Sequence, residues 1–190
     1  MRSFVTVITC VLLLGTNRST AETERSIGAK YVKHTFSKSS LIRSGAGAAI
    51  QQARNNPREW GRSPAGFGKR LASGLGEHAI KSTIEFGVAT ARHEELGYRP
   101  SGKQGFGPRL KYALMSTVVT RKTTTGKNTF ASGRVSGAMG SGFISRLWMP
   151  ARLRTISSGV ATGGVLLSVD AGTHVAREFW PEIRRRRQRR

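Results

Sequence analysis

Small residues recur every four positions in four segments of this chain, and this spacing constrains the fold more than any other sequence feature. In an α-helix, residues at i and i+4 share one face, so each segment would present a smooth stripe that another backbone can approach closely. A glycine inside a helix costs nearly 1 kcal/mol relative to alanine, so repeated glycines at this spacing indicate close packing that offsets the cost. The stripes are Gly45, Ala49 and Ala53; Gly68, Ala72 and Gly76, then Thr83, Gly87 and Ala91; Gly133, Gly137, Ser141 and Ser145; and Gly164, Ser168, Gly172 and Ala176.

The helical interpretation of the stripes is supported by polar residues that follow the same period. A ladder of alternating charge at i, i+4 spacing runs through Glu77, Lys81 and Glu85, and we expect it on the polar side of its helix, opposite the stripe. The alternative, glycine-rich loops with accidental spacing, is less favoured because it leaves the ladder unexplained.

Capping and helix-breaking residues place the helix boundaries. Ser63 followed by Pro64 is a good start for a helix, and Gly97 is a good stop. We expect the next helix from Arg109 to about Thr120, a polar loop at 123–128, and an end or kink at Pro181. No convincing run of alternating β-type residues crosses the middle of the chain. The sequence therefore predicts an all-α domain of four or five helices packed through the small-residue stripes.

Residues 154–177 are long enough to span a bilayer, but their composition favours a helix in water or at a membrane surface. Serine, threonine and glycine are frequent in this segment. Asp170, His174 and Glu178 recur four apart, which is typical of a hydrated helix face.

The N-terminus has the three regions of a secretory signal peptide. Arg2 supplies the positive charge, residues 4–14 form an apolar run too short to span a membrane, and Ser19-Thr20-Ala21 offers small residues to a signal peptidase. We expect cleavage after Ala21. The predicted organisation is a signal peptide at 1–21, a flexible basic leader at 22–40, a helical domain at 41–183 and an arginine-rich tail at 184–190.

Export has consequences for location and for chemistry. It predicts a protein of the bacterial periplasm or cell envelope. The only cysteine, Cys10, lies within the signal peptide, so the mature chain would have no disulfide, no thiolate metal site and no cysteine nucleophile.

The basic charge of the chain predicts an anionic partner. Lysine and arginine number 32 against 10 acidic residues. Outside the cytoplasm the available polyanions are lipid head groups and acidic envelope polymers, and inside it they are nucleic acids. Trp180 precedes the densest basic cluster, as tryptophan does at lipid head-group layers. The predicted anion- or lipid-contacting residues are Trp180, Arg184, Arg185, Arg186, Arg187, Arg189 and Arg190. The alternative for the tail is a solvated extension of the last helix.

Catalytic and cofactor motifs give negative results. His93-Glu94 lacks the second histidine of a zinc-binding helix, and Gly126-Lys127 lacks the first glycine and the hydroxyl residue of a phosphate-binding loop. The histidines at 78, 93 and 174 are isolated from one another in sequence. We therefore predict no catalytic set, no metal or cofactor and no small-molecule substrate.

Four segments carry a resemblance to a known group of proteins: residues 93–99, Arg109 to Arg121, the glycine-rich 133–148, and the closing Glu-Phe-Trp-Pro-Glu-Ile at 178–183. In these segments the chain resembles a group of small exported proteins common in acidobacteria, and the segments lie within residues 93–183, about half of the chain. The resemblance implies export and residence in the envelope, and it supplies no activity and no site residues. Relatives often show Asp-Pro-Arg-Tyr where this chain has Leu96-Gly97-Tyr98-Arg99.

Together these features predict a non-enzymatic, cationic helical protein of the cell envelope, attached to a membrane surface or an anionic polymer. Helix-mediated self-association is a further prediction. A nucleic-acid-binding protein is the alternative if the signal peptide is misread, and an enzyme with unrecognised residues is the third class.

Overall fold

The computed structural model describes residues 38–188, and their architecture confirms the all-α prediction. The helices are α1 (Lys38–Ala53), α2 (Pro64–Ala91), α3 (Phe106–Met115), α4 (Ser132–Ile144) and α5 (Ile156–Gln188), with short 3-10 turns at Arg58–Trp60, Ser145–Leu147 and Ala151–Leu153 and two strands, β1 (Val119–Arg121) and β2 (Asn128–Phe130). Helix α1 begins inside the expected leader of residues 22–40. The rest of that leader, the signal peptide at 1–21, and Arg189 and Arg190 lie outside the described residues.

Helix α2 begins as the sequence predicts but ends earlier. The Ser63 hydroxyl accepts a hydrogen bond from the Gly66 backbone N–H at 3.2 Å, and Pro64 occupies the first helical position. The helix ends at Ala91, so the stop expected at Gly97 is wrong. His93 adopts a left-handed φ of 54°, and the backbone N–H of Glu94 then reaches the Ala89 carbonyl at 2.8 Å. Histidine takes here the conformation that glycine usually supplies at a helix end, so no glycine is needed.

The segment expected to be helical from Arg109 to Thr120 contains a helix and a strand. Helix α3 ends at Met115, and β1 pairs antiparallel with β2, with Val119 opposite Phe130 and Arg121 opposite Asn128. The β-branched residues that precede the turn favour this extended backbone. The polar loop predicted at 123–128 is the turn of this hairpin up to its last residue, which belongs to β2.

Helix α5 passes through Pro181 and continues to Gln188, so the proline does not end it. Proline removes one helical hydrogen bond and usually breaks a helix. Here the Arg109 side chain donates to the Glu178 backbone carbonyl and to the Glu182 carboxylate. These contacts join α3 to α5 on both sides of the proline, and they hold the helix across it.

Helix α4 lies between α2 and α5 and packs against both at backbone distance. A Cβ built on Gly133 would lie 2.8 Å from the Glu85 carbonyl oxygen, and one on Gly137 would lie 2.8 Å from the Lys81 carbonyl oxygen. Ser141 and Ser145, which complete this stripe, are fully buried. The third stripe is therefore a packing face, as the sequence predicts.

The other stripes do not pack as a unit within the described chain. Gly45, Gly68, Gly87 and Gly172 have open space where a Cβ would stand. The glycines of α5 that pack are Gly159 and Gly163, since a Cβ on Gly142 would lie 2.5 Å from the Gly159 carbonyl oxygen. The spacing therefore indicates helices throughout, but the predicted stripe is a packing face only in α4. In α1, α2 and α5 the stripes lie on largely exposed faces.

The interior combines small and charged residues. The buried apolar residues are Ala48, Ala89, Ala113, Ala131, Ala138 and Met149. Lys81 and Glu85 are also buried, so the charge ladder expected on the polar side opposite the stripe faces the interior. Helices this close leave little room for large apolar side chains. The buried charges of Lys81 and Glu85 are tolerated because the two side chains pair at 2.7 Å.

Candidate functional site

The outer face of α5 is apolar over most of its length. Residues spaced three and four apart share this face, and each is exposed: Val165, Val169, Gly172, Ala176, Trp180 and Ile183. Such a stripe is usually the core-facing side of a helix. On α5 it faces outward, away from the described part of the fold.

Large apolar side chains are concentrated where this face meets the N-terminus of α3. Trp180 is 62% exposed, Ile183 is 55% exposed and Phe106 is 68% exposed. The Phe106 and Phe179 rings lie 5.2 Å apart, and the Arg109 guanidinium lies 4.5 Å from the centre of the Phe179 ring. These contacts pack the start of α3 against α5 at Phe179, the residue before Trp180.

The predicted basic residues continue directly from this apolar cluster. Arg184 and Arg185 are exposed in the last turns of α5, and Arg184 shares a helix face with Trp180 four residues before it. Arg186 and Arg187 belong to the same helix, whereas Arg189 and Arg190 lie beyond the described residues. We define Phe106, Trp180, Ile183, Arg184 and Arg185 as the C-terminal surface.

The inner face of α5 carries Asp170, His174 and Glu178, which the sequence analysis expects on a hydrated helix face. His174 and Glu178 are buried and Asp170 is largely so, which makes that expectation wrong. The spacing correctly groups the three side chains, but each has a partner elsewhere in the fold. The Lys81 ammonium lies 2.9 Å from Asp170, and Ser116 Oγ lies 2.9 Å from His174 Nδ1.

Glu178 is the most heavily hydrogen-bonded of these residues. It is 2% exposed, and its carboxylate accepts from the Tyr98 hydroxyl, from the backbone and side chain of Ser101, and from Arg109 Nε at 3.1 Å. Burial raises the pKa of Glu178, but the hydrogen bonds from Ser101, Tyr98 and Arg109 outweigh it and lower the pKa to about 2. This ionised carboxylate joins the 98–101 loop and α3 to the last helix.

His174 is neutral in the folded protein at pH 7. Burial and the positive charges of Arg134, Arg177 and Lys81 lower its pKa to about 4, against a smaller opposing effect of Asp170. Its ring stacks on Tyr98 at 4.7 Å between centroids. The Ser116–His174 pair lies beside the ion pairs that join α5 to α2 and α3.

The acidic residues of the described chain are all paired with basic residues, and the basic residues outnumber them. Each of the eight acidic residues between positions 38 and 188 forms an ion pair with arginine or lysine. Glu94 is one of the buried ones, and it accepts from the Gly133 N–H at the start of α4. The same stretch contains 25 lysine and arginine residues. An approaching polyanion therefore meets an excess of cations.

Metal chemistry and membrane spanning have no support in the part of the chain that the structure describes. Between residues 38 and 188, no three histidine or carboxylate side chains are placed to share a metal ion. None of the described helices combines the length and the apolar character that crossing a bilayer requires.

Sequence reasoning missed Phe106 as part of the C-terminal surface and Arg109 as the residue that joins α3 to α5 beside it. Phe106 lies before the helix expected from Arg109, and Arg109 was expected only as the start of that helix. Their role exists only because α3 packs against the end of α5. The sequence offers one signal for Arg109, which is that Glu178 and Glu182 need a basic partner. It does not show which residue that partner is, because Arg109 lies some 70 positions away in the chain.

No protein-family model, curated protein or solved structure matches the chain. The resemblance to exported acidobacterial proteins stays a prediction.

Proposed function

We propose that this protein attaches peripherally to an anionic lipid layer through its C-terminal surface and the arginine run at 184–190. The observation that carries the proposal is the outer face of α5, which is apolar, ends in an exposed tryptophan and continues into arginine. Tryptophan and arginine side by side suit a head-group layer, because the indole enters the interface while the guanidinium meets phosphate. The protein is then a structural or interaction protein of the envelope, without enzymatic activity.

The expected energies are sufficient for reversible attachment. A basic residue near an anionic membrane contributes about 1 kcal/mol, so the six arginines of the run attract the protein strongly at low salt. A large apolar side chain that leaves water completely contributes about 1.5–3 kcal/mol. Trp180 and Ile183 thus add a salt-independent part, which distinguishes lipid binding from attraction to any polyanion.

Location in the cell envelope is part of this proposal. It is supported by the signal-peptide pattern at 1–21 and by the basic charge, which suits an anionic membrane leaflet. Nucleic acid is the alternative partner, but the apolar outer face of α5 is not required for phosphate contacts, which lysine and arginine make alone.

Co-sedimentation with lipid vesicles tests the proposal. The chain from Glu22 onward is mixed with vesicles of phosphatidylcholine alone or with phosphatidylglycerol added. We expect binding to the anionic vesicles, weakened by salt and by removal of all residues after Ile183. Trp180→Ala should weaken binding severalfold at a salt concentration where the electrostatic attraction is screened.

Leu147→Ala is the matched control, because Leu147 is 75% exposed and lies outside the C-terminal surface. It should bind as the unmodified chain does. Equal binding by the full and shortened chains, or no preference for anionic vesicles, would contradict the proposal. Tight binding to double-stranded DNA together with no vesicle binding would favour the nucleic-acid alternative.

A further inference from the structure

A cavity of about 170 Å³ lies among the loop after α2, helix α3 and the β-hairpin. None of the residues of the C-terminal surface lines it, so it is a separate feature. Its basic lining consists of Arg99, Arg121 and Arg134. Guanidinium groups stay protonated at all physiological pH values, so the side chains that line this small space include three permanently charged ones.

The negative charge at this cavity compensates only part of the positive charge. Glu95 is the one acidic residue among the lining residues, and its carboxylate already lies 3.2 Å from the Arg99 guanidinium. The buried Arg134 donates to the backbone carbonyls of Ser116 and Thr117, which are neutral, and its nearest carboxylate, on Glu85, is 3.7 Å away. Within residues 38–188, no carboxylate lies within ion-pair distance of Arg121.

The remaining walls are partly polar and partly apolar. Ser116, Thr120 and Asn128 supply hydrogen-bonding groups. Tyr98 and Tyr112 meet edge to face at 6.3 Å between ring centroids, and Met115 and Val119 complete the apolar lining. Polar groups that converge in a partly apolar hollow are typical of small-molecule sites.

We propose that this cavity binds a small organic anion, a carboxylate or phosphate monoester carried on a short apolar body. The arginines bind the anionic group in the geometry that guanidinium offers to carboxylate and phosphate. The tyrosine and Met115 side chains contact the apolar part. The volume suits a ligand of about one aromatic ring, since a cavity near 150 Å³ holds benzene. This inference is independent of the lipid-binding function.

Calorimetric titration of the chain from Glu22 tests the inference with three probes: benzoate, phenyl phosphate and the neutral benzamide. We expect saturable binding of benzoate or phenyl phosphate at millimolar concentration or below, and at least tenfold weaker binding of benzamide. Arg121→Gln should weaken anion binding about tenfold or more, because Arg121 is exposed on the hairpin and lines the cavity.

Lys127→Gln is the matched control, since Lys127 is an exposed cation of the same hairpin that does not line the cavity. It should leave the affinity within twofold of the unmodified chain. The inference is overturned if neither anion binds saturably at millimolar concentration, if benzamide binds as tightly as benzoate, or if Lys127→Gln weakens binding as much as Arg121→Gln. Thermal melts of both variants check that each is folded.

Discussion

Single buried side chains determine how this fold responds to acid. His174 illustrates the effect, because its folded-state pKa is about 4, below its ordinary value of 6.5. Between those two pH values the unfolded chain binds up to one proton more than the folded chain at this residue. The stability that the neutral imidazole contributes is fully present above pH 6.5 and is lost as the pH falls towards 4.

We therefore expect His174 to lower the free energy of unfolding by up to about 1.4 kcal/mol per pH unit near the middle of this window, the slope that one proton produces. Urea unfolding at pH values between 6.5 and 4.5 measures the slope. His174→Gln should largely remove it. His93→Gln is the control, because His93 is exposed and lies outside the network; it should keep the slope. A slope unchanged in His174→Gln would contradict the assignment.

The periodic positions of Asp170, His174 and Glu178 were predictable from the sequence, but their burial was not. Spacing shows which residues share a helix face. Which face turns inward depends on partners such as Lys81 and Arg109, which lie some 90 and 70 positions away in the chain. In a core built from alanine and glycine, charges that pair can occupy the inside.

At the scale of the helices, close packing at small residues should make two glycine substitutions act in opposite directions. Gly137→Ala places a Cβ 2.8 Å from the Lys81 carbonyl oxygen and should destabilise by about 1–3 kcal/mol. Gly172→Ala meets open space and should stabilise by up to about 1 kcal/mol, because alanine is the better helix former.

Urea unfolding of both variants at neutral pH measures the difference. The two glycines are a matched pair. Each lies inside a helix that packs against other helices, and each belongs to a predicted small-residue stripe. Changes of the same sign would show that the two helix faces are not distinguished as the structure indicates.

Element types were largely predictable, whereas boundaries depended on tertiary contacts. Ser63 and Pro64 marked a helix start through local chemistry alone. The early stop at Ala91 is accompanied by a left-handed conformation at His93, and α5 passes through Pro181 where Arg109 binds residues on both sides of it. Neither event has a local sequence signal.

At the scale of the whole molecule, the distribution of polarity links the fold to the proposed function. The interior holds ion pairs and small residues, while large apolar side chains such as Trp180 and Val165 face outward. A large apolar outer face is a common mark of a binding surface. The sequence predicted the basic residues of the C-terminal surface and Trp180, but it gave no indication of Phe106, which joins them only through packing.

Quenching of tryptophan fluorescence by lipids brominated along the acyl chain tests the lipid-binding proposal most directly. Lipid is added in excess, so that both the unmodified chain and Trp180→Phe are bound. The account predicts quenching in the unmodified chain and loss of most of it in Trp180→Phe, because only an indole in the interface approaches the bromine atoms. Equal quenching in the two chains, or none in the bound unmodified chain, would contradict the proposal that Trp180 enters the lipid layer.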